Sequence, residues 1–492
     1  MKADFMTRSQ LKLIPIVLLT MMQVLGSAGV GRSGIPELIP LLKDSSASVR
    51  WNAADELAKI GKSAIPYLIP LLKDSDKDVR SNAADALGYM GESAKVAIPD
   101  LIPLLKDPDA GVRSSAAFAL RYMGESAKVA IPDLIPLLKD KDALVRSSAA
   151  IALGYMGESA KVAIPDLIPL LKDPDAGVRL GAAFALGRMG ESAKVAIPDI
   201  ILLLEDPDED IRLSAAFALG EMGESAKVAI PNIIPLLKDS DKYVRSNAAI
   251  ALGRMGESAK VAIPNIILLL KDPDSVVRSS AADALGKMGE SAKVAIPDLI
   301  PLLKDSGKYV RSGAAFALGE MGESAKVAIP NIIPLLKDPD KDIRSSAASA
   351  LGGIGESAKV GVPHIIPLLK DSEAYVRSTA AYALGKMGES AKVAIPDLIP
   401  LLKDKDKDVR LISASALIKM GEREAVKPTI PDVITRLQDQ NKNVRIVAAQ
   451  ILGGIGESAN SYVPLLIPLL KDPEPSVRSI AAEALRKLGY KP

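Results

Sequence analysis

The chain has 492 residues, of which 48% are hydrophobic and 25% are charged, as in ordinary soluble proteins. Its 62 basic and 60 acidic residues leave a formal charge of +2, so no overall field draws it to nucleic acid or anionic lipid. The lack of cysteine excludes thiolate metal sites, and the single histidine, His364, excludes multi-histidine metal sites, so neither a conventional active site nor a cofactor is expected.

The first 34 residues precede the repeated part of the sequence. Three basic residues are followed by a mostly apolar run at 13–25 and then by Gly-Ser-Ala, an order typical of a secretory signal peptide. The pattern predicts cleavage after Ala28 and export to the periplasm or the extracellular space. The alternative is that residues 1–28 form an N-terminal capping segment of a cytoplasmic protein. The run is too short and too interrupted to predict a stable membrane span in the mature chain.

A 33-residue period dominates the rest of the chain. The pattern Asp-x5-Arg recurs in strict register from Asp74 and Arg80 to Asp404 and Arg410, and flanking copies raise the number of repeats to fourteen. The segment GESAKVAIP, which first occurs at 91–99, is present nine times. These regularities predict one continuous repeat array over residues 35–489.

Each repeat is predicted to contain two helices. Helix A begins at the proline of the GESAKVAIP segment, because the first helical position does not need the missing N–H. In the third repeat, helix B begins after an N-cap at Asp109 and ends at Gly124, with apolar residues at helical spacing between them. Pro103, inside helix A, should remove a backbone hydrogen bond and bend that helix.

Such a pair of helices cannot close a core alone, so the pairs must stack, which predicts an all-α, right-handed α-solenoid. The proline of helix A, the Asp-x5-Arg motif and the AA-x-AL segment of helix B resemble the HEAT repeat family, specifically the short HEAT-like repeats of phycobilisome lyases. The resemblance implies that the Asp caps the turn within a repeat and that the Arg reaches the neighbouring repeat, so that a structural ladder forms. The representative residues of this structural ladder are Asp107, Arg113, Asp140, Arg146, Asp239 and Arg245.

The repeats differ from one another mainly along one stripe of helix B. Counted from the Arg of each motif as zero, the variable columns are −2, +2, +5 and +9, which fall within a band about 60° wide on a helical wheel. Eleven of the sixteen aromatic residues of the chain lie in these columns. Because the same columns also hold charged residues, which a dry core would not tolerate without partners, we expect the stripe to be exposed.

Aromatic and charged residues interleaved on an exposed surface are typical of protein-binding sites. The sequence therefore predicts a non-enzymatic scaffold that binds a protein or an extended peptide, and not nucleic acid, along the B helices, which ordinarily line the concave face of a solenoid. The predicted partner-binding residues are Tyr89, Phe118, Tyr122, Tyr155, Phe184, Arg188, Phe217, Glu221, Tyr243, Arg254, Tyr309, Phe316, Tyr375 and Tyr382.

The resemblance to phycobilisome lyases implies an alternative function. A bilin lyase or isomerase would seat a tetrapyrrole against the aromatic stripe and use an acidic residue as proton donor. Such an enzyme should show one repeat that departs sharply from the others to form a pocket, whereas the substitutions along the stripe are distributed over many repeats. Mixing the protein with phycocyanobilin should distinguish the two functions, because binding would shift the visible absorption of the pigment.

Overall fold

The computed structural model describes residues 34–456 and 461–490, and the chain divides after Met255 into two compact units. All regular secondary structure in these residues is helical, with no strand among them. The predicted all-α solenoid of two-helix repeats is therefore confirmed. The predicted signal peptide at 1–28 lies outside the described residues.

Helix B is the long element of every repeat. The B helices of the first unit are Ala47–Ile60, Lys77–Tyr89, Ala110–Met123, Ala143–Tyr155, Ala176–Arg188, Glu209–Glu221 and Lys242–Arg254. Those of the second unit are Ser275–Lys287, Lys308–Glu320, Lys341–Ile354, Ala374–Met387, Lys407–Lys419, Lys442–Ile455 and Pro475–Lys487. Within each unit, consecutive B helices pack side by side.

Helix A is shorter and usually changes from α to 3-10 geometry. Its α-helical parts in the first unit are Ile35–Leu38, Ile65–Leu68, Ile98–Leu101, Ile131–Leu134, Ile164–Leu167, Ile197–Leu202 and Ile230–Ile233. In the second unit they are Ile263–Leu269, Ile296–Leu302, Ile329–Ile332, Val362–Ile365, Ile395–Leu398, Ile430–Thr435 and Val463–Leu466. A 3-10 segment such as Ile102–Lys106 follows most of them.

The second proline of helix A favours this change of geometry without compelling it. Pro103 lies at the start of the 3-10 segment Ile102–Lys106, where its missing N–H cannot support an α-helical bond. Where Leu268 takes the same position, the α-helix continues over Ile263–Leu269. The helix Ile296–Leu302 nevertheless remains α-helical with Pro301 inside it.

Helix B of the third repeat begins and ends where its sequence predicts. The Asp109 carboxylate accepts hydrogen bonds from the backbone N–H groups of Gly111 at 2.9 Å and Val112 at 3.3 Å. Gly124 ends the helix with a φ of 53°, a conformation that favours glycine. The apolar positions between them are buried: Val112, Ala116, Ala117, Leu120 and Met123.

The joint between repeats, which the GESAKVA part of the repeated segment forms, is a short 3-10 helix. In the joint Gly91–Ala97, the glycine has a φ of 58°, and Ala94 and Ala97 are buried. Glu92 accepts a hydrogen bond of 3.0 Å from the Ser126 hydroxyl of the next joint. The repeated Glu–Ser contact and the buried alanines give most joint positions a structural role.

The Asp-x5-Arg motifs form a ladder of ion pairs. Arg113 donates two hydrogen bonds, of 2.8 and 3.0 Å, to the Asp140 carboxylate of the next repeat, and a third, of 2.7 Å, to the carbonyl oxygen of Asp107. Although burial opposes it, the Arg113 guanidinium, together with the backbone N–H of Asp142, holds the pKa of Asp140 below its usual value. Each rung thus links the turn of one repeat to helix B of its neighbour.

The same arrangement recurs in most repeats of both units. Arg212 donates to Asp239 at 2.7 and 3.0 Å, and Arg245 donates to the carbonyl oxygen of Asp239 at 2.8 Å. Arg311 lies 3.5 Å from Asp338 without a hydrogen bond to it, and Arg50 pairs with Asp78 rather than with Asp74. Where the spacing of the motif grows to 35 residues, Arg410 donates instead to Asp432 at 2.6 Å. The two additional residues therefore change the partner of this arginine.

Candidate functional site

The four variable columns of helix B differ in exposure, so the predicted stripe is not one uniformly exposed surface. Residues in columns −2 and +9 are largely exposed, whereas those in column +2 are mostly buried or half-buried. Column +5 faces the neighbouring B helices, where Phe184 is only 6% exposed. The prediction that Phe184 is exposed is wrong, and Phe118 and Phe217 are only half-exposed.

The burial of these phenylalanines has a simple packing reason. A Cβ atom added at Gly154 would lie 3.0 Å from a ring carbon of Phe184, so the ring occupies the space that the glycine of the preceding repeat leaves. Phe118 packs over Gly88 in the same way. A large residue in column +5 is accommodated because column +8 of the preceding helix is usually glycine.

The first unit brings six of the predicted residues into one aromatic row. The row consists of Tyr89, Phe118, Tyr122, Tyr155, Phe184 and Phe217. Phe118 makes edge contacts with Tyr89 at 5.4 Å and with Tyr122 at 4.9 Å between ring centroids. Phe184 lies 5.5 Å from Tyr155 and stacks on Phe217 at 6.1 Å. Burial, the largest influence, raises the pKa of Tyr89.

Arg121 joins the two halves of this row and was missed by the sequence analysis. Its guanidinium carbon lies 4.8 Å from the ring centroid of Phe118, 4.5 Å from that of Tyr122 and 5.6 Å from that of Tyr155. Arg121 lies in column +8, where ten of the fourteen repeats have glycine, as at Gly154. The replacement of glycine by arginine in the third repeat was the signal that could have identified it.

A pocket of about 550 Å³ lies beside Arg121 and the rings of Tyr122 and Tyr155. Its volume falls within the usual range for ligand sites, about 300–1,000 Å³. The joints supply the remaining polar side chains of its wall, which are Glu92, Glu125, Ser126 and Lys128.

The acidic side chains of this pocket already have partners. Glu92 accepts hydrogen bonds from Ser126 and from Lys95, and these contacts, the Ser126 bond first, lower its pKa. Glu125 accepts a bond of 2.7 Å from Ser159 and pairs with Lys128. Within the described residues, Arg121 has no ion pair or hydrogen bond, and its Nε atom is buried. The pocket therefore contains two ionised, partnered carboxylates and one unpartnered guanidinium.

The aromatic residues of the second unit are more exposed. Tyr309 is 60% exposed and Tyr375 62%, and the Lys308 ammonium lies 5.1 Å from the Tyr309 ring. Tyr382 and Phe316 are exposed as well. These side chains fit the predicted exposed stripe.

Cations accompany the aromatic residues in both units. Lys419 lies 5.7 Å from the ring of Tyr382, and burial, aided by the charge of Lys386, lowers its pKa. In the first unit Lys242 lies 5.3 Å from the ring of Tyr243. Among the charged residues of the stripe, Arg188 is exposed, and Glu221 and Arg254 form an ion pair.

Column +5, which is aromatic in five repeats, holds an aspartate in three, namely Asp55, Asp85 and Asp283. Burial raises the pKa of Asp85 to about 6, although a hydrogen bond with Ser115 opposes the shift. Burial also raises the pKa of Asp283 to about 6, against the opposing charge of Lys287. In the native protein, both side chains therefore retain a proton at a higher pH than in the unfolded chain.

This difference predicts a pH-dependent stability. Because the native state binds more protons than the unfolded state between about pH 4 and pH 6, the free energy of unfolding should fall as the pH rises through this range. Asp85→Asn removes the buried charge and should increase this free energy at pH 8 by about 2 kcal/mol. Chemical denaturation at pH 4 and pH 8 measures both effects. Glu191→Gln, which changes an exposed joint carboxylate, is the control; an equal gain in that variant would contradict the prediction.

The described residues contain neither a metal-binding group nor a membrane-spanning helix. No group of histidine, aspartate and glutamate side chains there is arranged to hold a metal ion. No helix in residues 34–456 or 461–490 is long and apolar enough to cross a membrane.

Comparison with solved structures shows a similar fold. The structure of Kap121p bound to the extreme C-terminus of the protein phosphatase Cdc14p aligns with 92% of this chain and 62% of the karyopherin, at 14% identity and a TM-score of 0.58. Kap121p bound to the SUMO protease Ulp1p gives the same values. An engineered protein aligns with 73% of this chain and 98% of its own length, at 24% identity and a TM-score of 0.43. No match was found among curated proteins.

Sequence-family models identify the repeats themselves. The PBS lyase HEAT-like repeat matches residues 112–140, which include the end of helix B with Arg121 and the following joint. The model for HEAT repeats matches residues 35–121, 131–198, 164–233, 197–286, 230–307, 296–361, 362–428 and 430–492. Since these matches cover nearly the whole repeated region, the chain belongs to the HEAT repeat family.

Proposed function

We propose that the protein is a non-enzymatic scaffold that binds a protein or an extended peptide along its B helices. The main support is the exposed tyrosines of column −2, represented by Tyr309, which has Lys308 beside its ring, and by Tyr375 two repeats later. Tyrosine offers a large contact area and has few rotatable bonds to immobilise on binding. The joints are nearly identical, whereas the B helices differ from repeat to repeat, so specificity would come from the B helices.

The similar karyopherin structures give this proposal a precedent. Kap121p binds the C-terminus of Cdc14p in one structure and Ulp1p in another. The likeness to this chain is one of fold, so the nature of the partner has to come from the residues of the chain itself. Those residues are aromatic, basic and acidic side chains in alternation, which suit a partner of mixed apolar and charged character.

The test compares two pairs of equally exposed residues in the second unit. Peptides of 16 residues are selected from a displayed random library on the full chain, and their affinities are then measured for two double variants. Tyr309→Ala with Tyr375→Ala should weaken binding at least tenfold, since truncated aromatic anchors usually cost about 2 kcal/mol or more. Val327→Ala with Val360→Ala removes joint side chains that are 63% and 60% exposed, and should change affinity less than twofold.

The result also separates this proposal from binding at the joints. If the valine variant loses affinity and the tyrosine variant does not, the proposed surface is wrong. Melting curves for both variants should match that of the unmodified protein, because all four side chains are exposed.

A tetrapyrrole-binding function is the second candidate, and one observation favours it. The third repeat does depart from the others, because Arg121 replaces glycine and lies beside a pocket with two tyrosines on its wall. Glu92 and Glu125 of the same pocket would supply the acidic groups. A shift in the absorption of phycocyanobilin on mixing with the full chain would support this function, and an unchanged spectrum would exclude it.

A further inference from the structure

We infer that the pocket beside Arg121 binds a carboxylate side chain of an acidic peptide, while a neighbouring apolar side chain of that peptide lies on Tyr122 and Tyr155. The inference rests on the proposed function, because it states the chemistry of one part of the partner. It assigns to Arg121 a binding role that the repeated sequence pattern does not contain.

The Arg121 guanidinium is positioned to bind a planar anion. The rings of Phe118, Tyr122 and Tyr155 surround its guanidinium at 4.5 to 5.6 Å, which limits its motion and partly removes it from water. A guanidinium presents parallel N–H groups that match the two oxygens of a carboxylate. In the ladder, Arg113 meets Asp140 in this way. Arg121 has no such acid within the described residues.

The acids near Arg121 do not neutralise it. Glu92 and Glu125 are bound by serine hydroxyls of the following joints and by lysines of their own joints. Neither forms an ion pair with Arg121 within the described part of the chain. Their negative charge repels an anion elsewhere along the pocket wall, so a carboxylate ligand has to bind at the Arg121 guanidinium itself.

Arg121 lies in column +8, and the packing role of this column does not explain an arginine. A Cβ atom added at Gly154, the same position one repeat later, would lie 2.9 Å from the Cα atom of Ala185, so the column favours residues that let neighbouring helices approach closely. An arginine side chain at position 121 does not allow that close approach of the helices. A guanidinium that has aromatic rings but no acid beside it within the described residues is well placed to contact an acidic ligand outside the protein.

The surroundings favour a peptide over a compact anion. Tyr122 is 40% exposed, and along the same row Tyr89 is 43% exposed, so apolar contacts extend beyond the pocket in the direction of the preceding repeat. A free phosphate or a small carboxylic acid would use the guanidinium alone. An extended peptide can place its acid at Arg121 and its next side chains on these rings.

The test repeats the peptide selection on the unmodified full chain and then measures binding to Arg121→Gly. This variant restores the residue that ten repeats carry, so its melting temperature should stay close to that of the unmodified protein. Some of the selected peptides should carry aspartate or glutamate beside an apolar residue, and these acidic peptides should bind Arg121→Gly at least tenfold more weakly. Changing the peptide acid to its amide should cause a similar loss with the unmodified protein and almost none with the variant.

Three results would overturn the inference. The first is equal binding of the selected acidic peptides to Arg121→Gly and to the unmodified chain; if the Tyr309 and Tyr375 double variant still loses affinity, the proposed scaffold function survives. The second is an absence of acidic residues from the selected peptides. The third is that no acidic peptide binds, while phycocyanobilin binds the unmodified chain and does not bind Arg121→Gly. This result would favour the tetrapyrrole function. Arg121→Gln, which keeps the side chain but not its charge, should lose binding as Arg121→Gly does.

Discussion

Replacing Phe184 by alanine is expected to lower the free energy of unfolding of the first unit by about 3 kcal/mol. The ring is 6% exposed, stacks on Phe217 at 6.1 Å and fills the space over Gly154, so its removal leaves a cavity between three successive repeats. Hydrogen exchange should rise in the B helices that contact it, Ala143–Tyr155 and Glu209–Glu221, as well as in its own.

Tyr309→Ala is the matched control for the loss of an aromatic ring. Because Tyr309 is 60% exposed, this substitution should change stability by less than about 0.5 kcal/mol. If Phe184→Ala were equally harmless, the Phe184 ring would be exposed to solvent, and the packing of Phe184 against Phe217 and Gly154 would be incorrect.

Arg146→Ala is expected to cost about 2 to 3 kcal/mol of local stability. The arginine donates two bonds of 2.9 Å to Asp173, and both side chains are mostly buried, so the variant leaves a carboxylate without its counter-charge. Since a repeat contacts mainly its neighbours, hydrogen exchange should increase in the fourth and fifth repeats and remain unchanged in the first. Adding Asp173→Ala should restore part of the loss.

An exposed ion pair in the same repeat provides the control for this rung. Lys139 lies 2.7 Å from Asp166 and its side chain is 77% exposed, so Lys139→Ala should have almost no effect. An equal increase in exchange along the whole chain in Arg146→Ala would contradict the view that each rung acts locally.

The sequence was sufficient to predict the repeat architecture. The 33-residue period, the Asp109 cap and the glycine at the end of helix B all act locally, and local signals of this kind can be read without knowing how repeats pack. The 3-10 geometry of the joints was missed because GESAKVA contains no residue that distinguishes a 3-10 helix from a turn.

The exposure of the stripe could be predicted only in part. A helical wheel assigns a direction to each column, but the exposure of column +5 depends on how closely the next B helix approaches. Phe184 and Phe316 both lie over a glycine of the preceding repeat, yet Phe184 is 6% exposed and Phe316 is 39% exposed. Arg121 was overlooked because column +8, which is glycine in ten of the fourteen repeats, was not among the columns that vary most.

The most direct test of the scaffold proposal is hydroxyl-radical footprinting of the full chain with and without a saturating selected peptide. Oxidation of exposed side chains, read by mass spectrometry, reports which surface the peptide covers. We expect oxidation of Tyr309 and Tyr375 to fall on binding, while the joint valines Val327 and Val360 keep their reactivity. Protection of the joint valines with unchanged oxidation of the tyrosines would contradict the proposal.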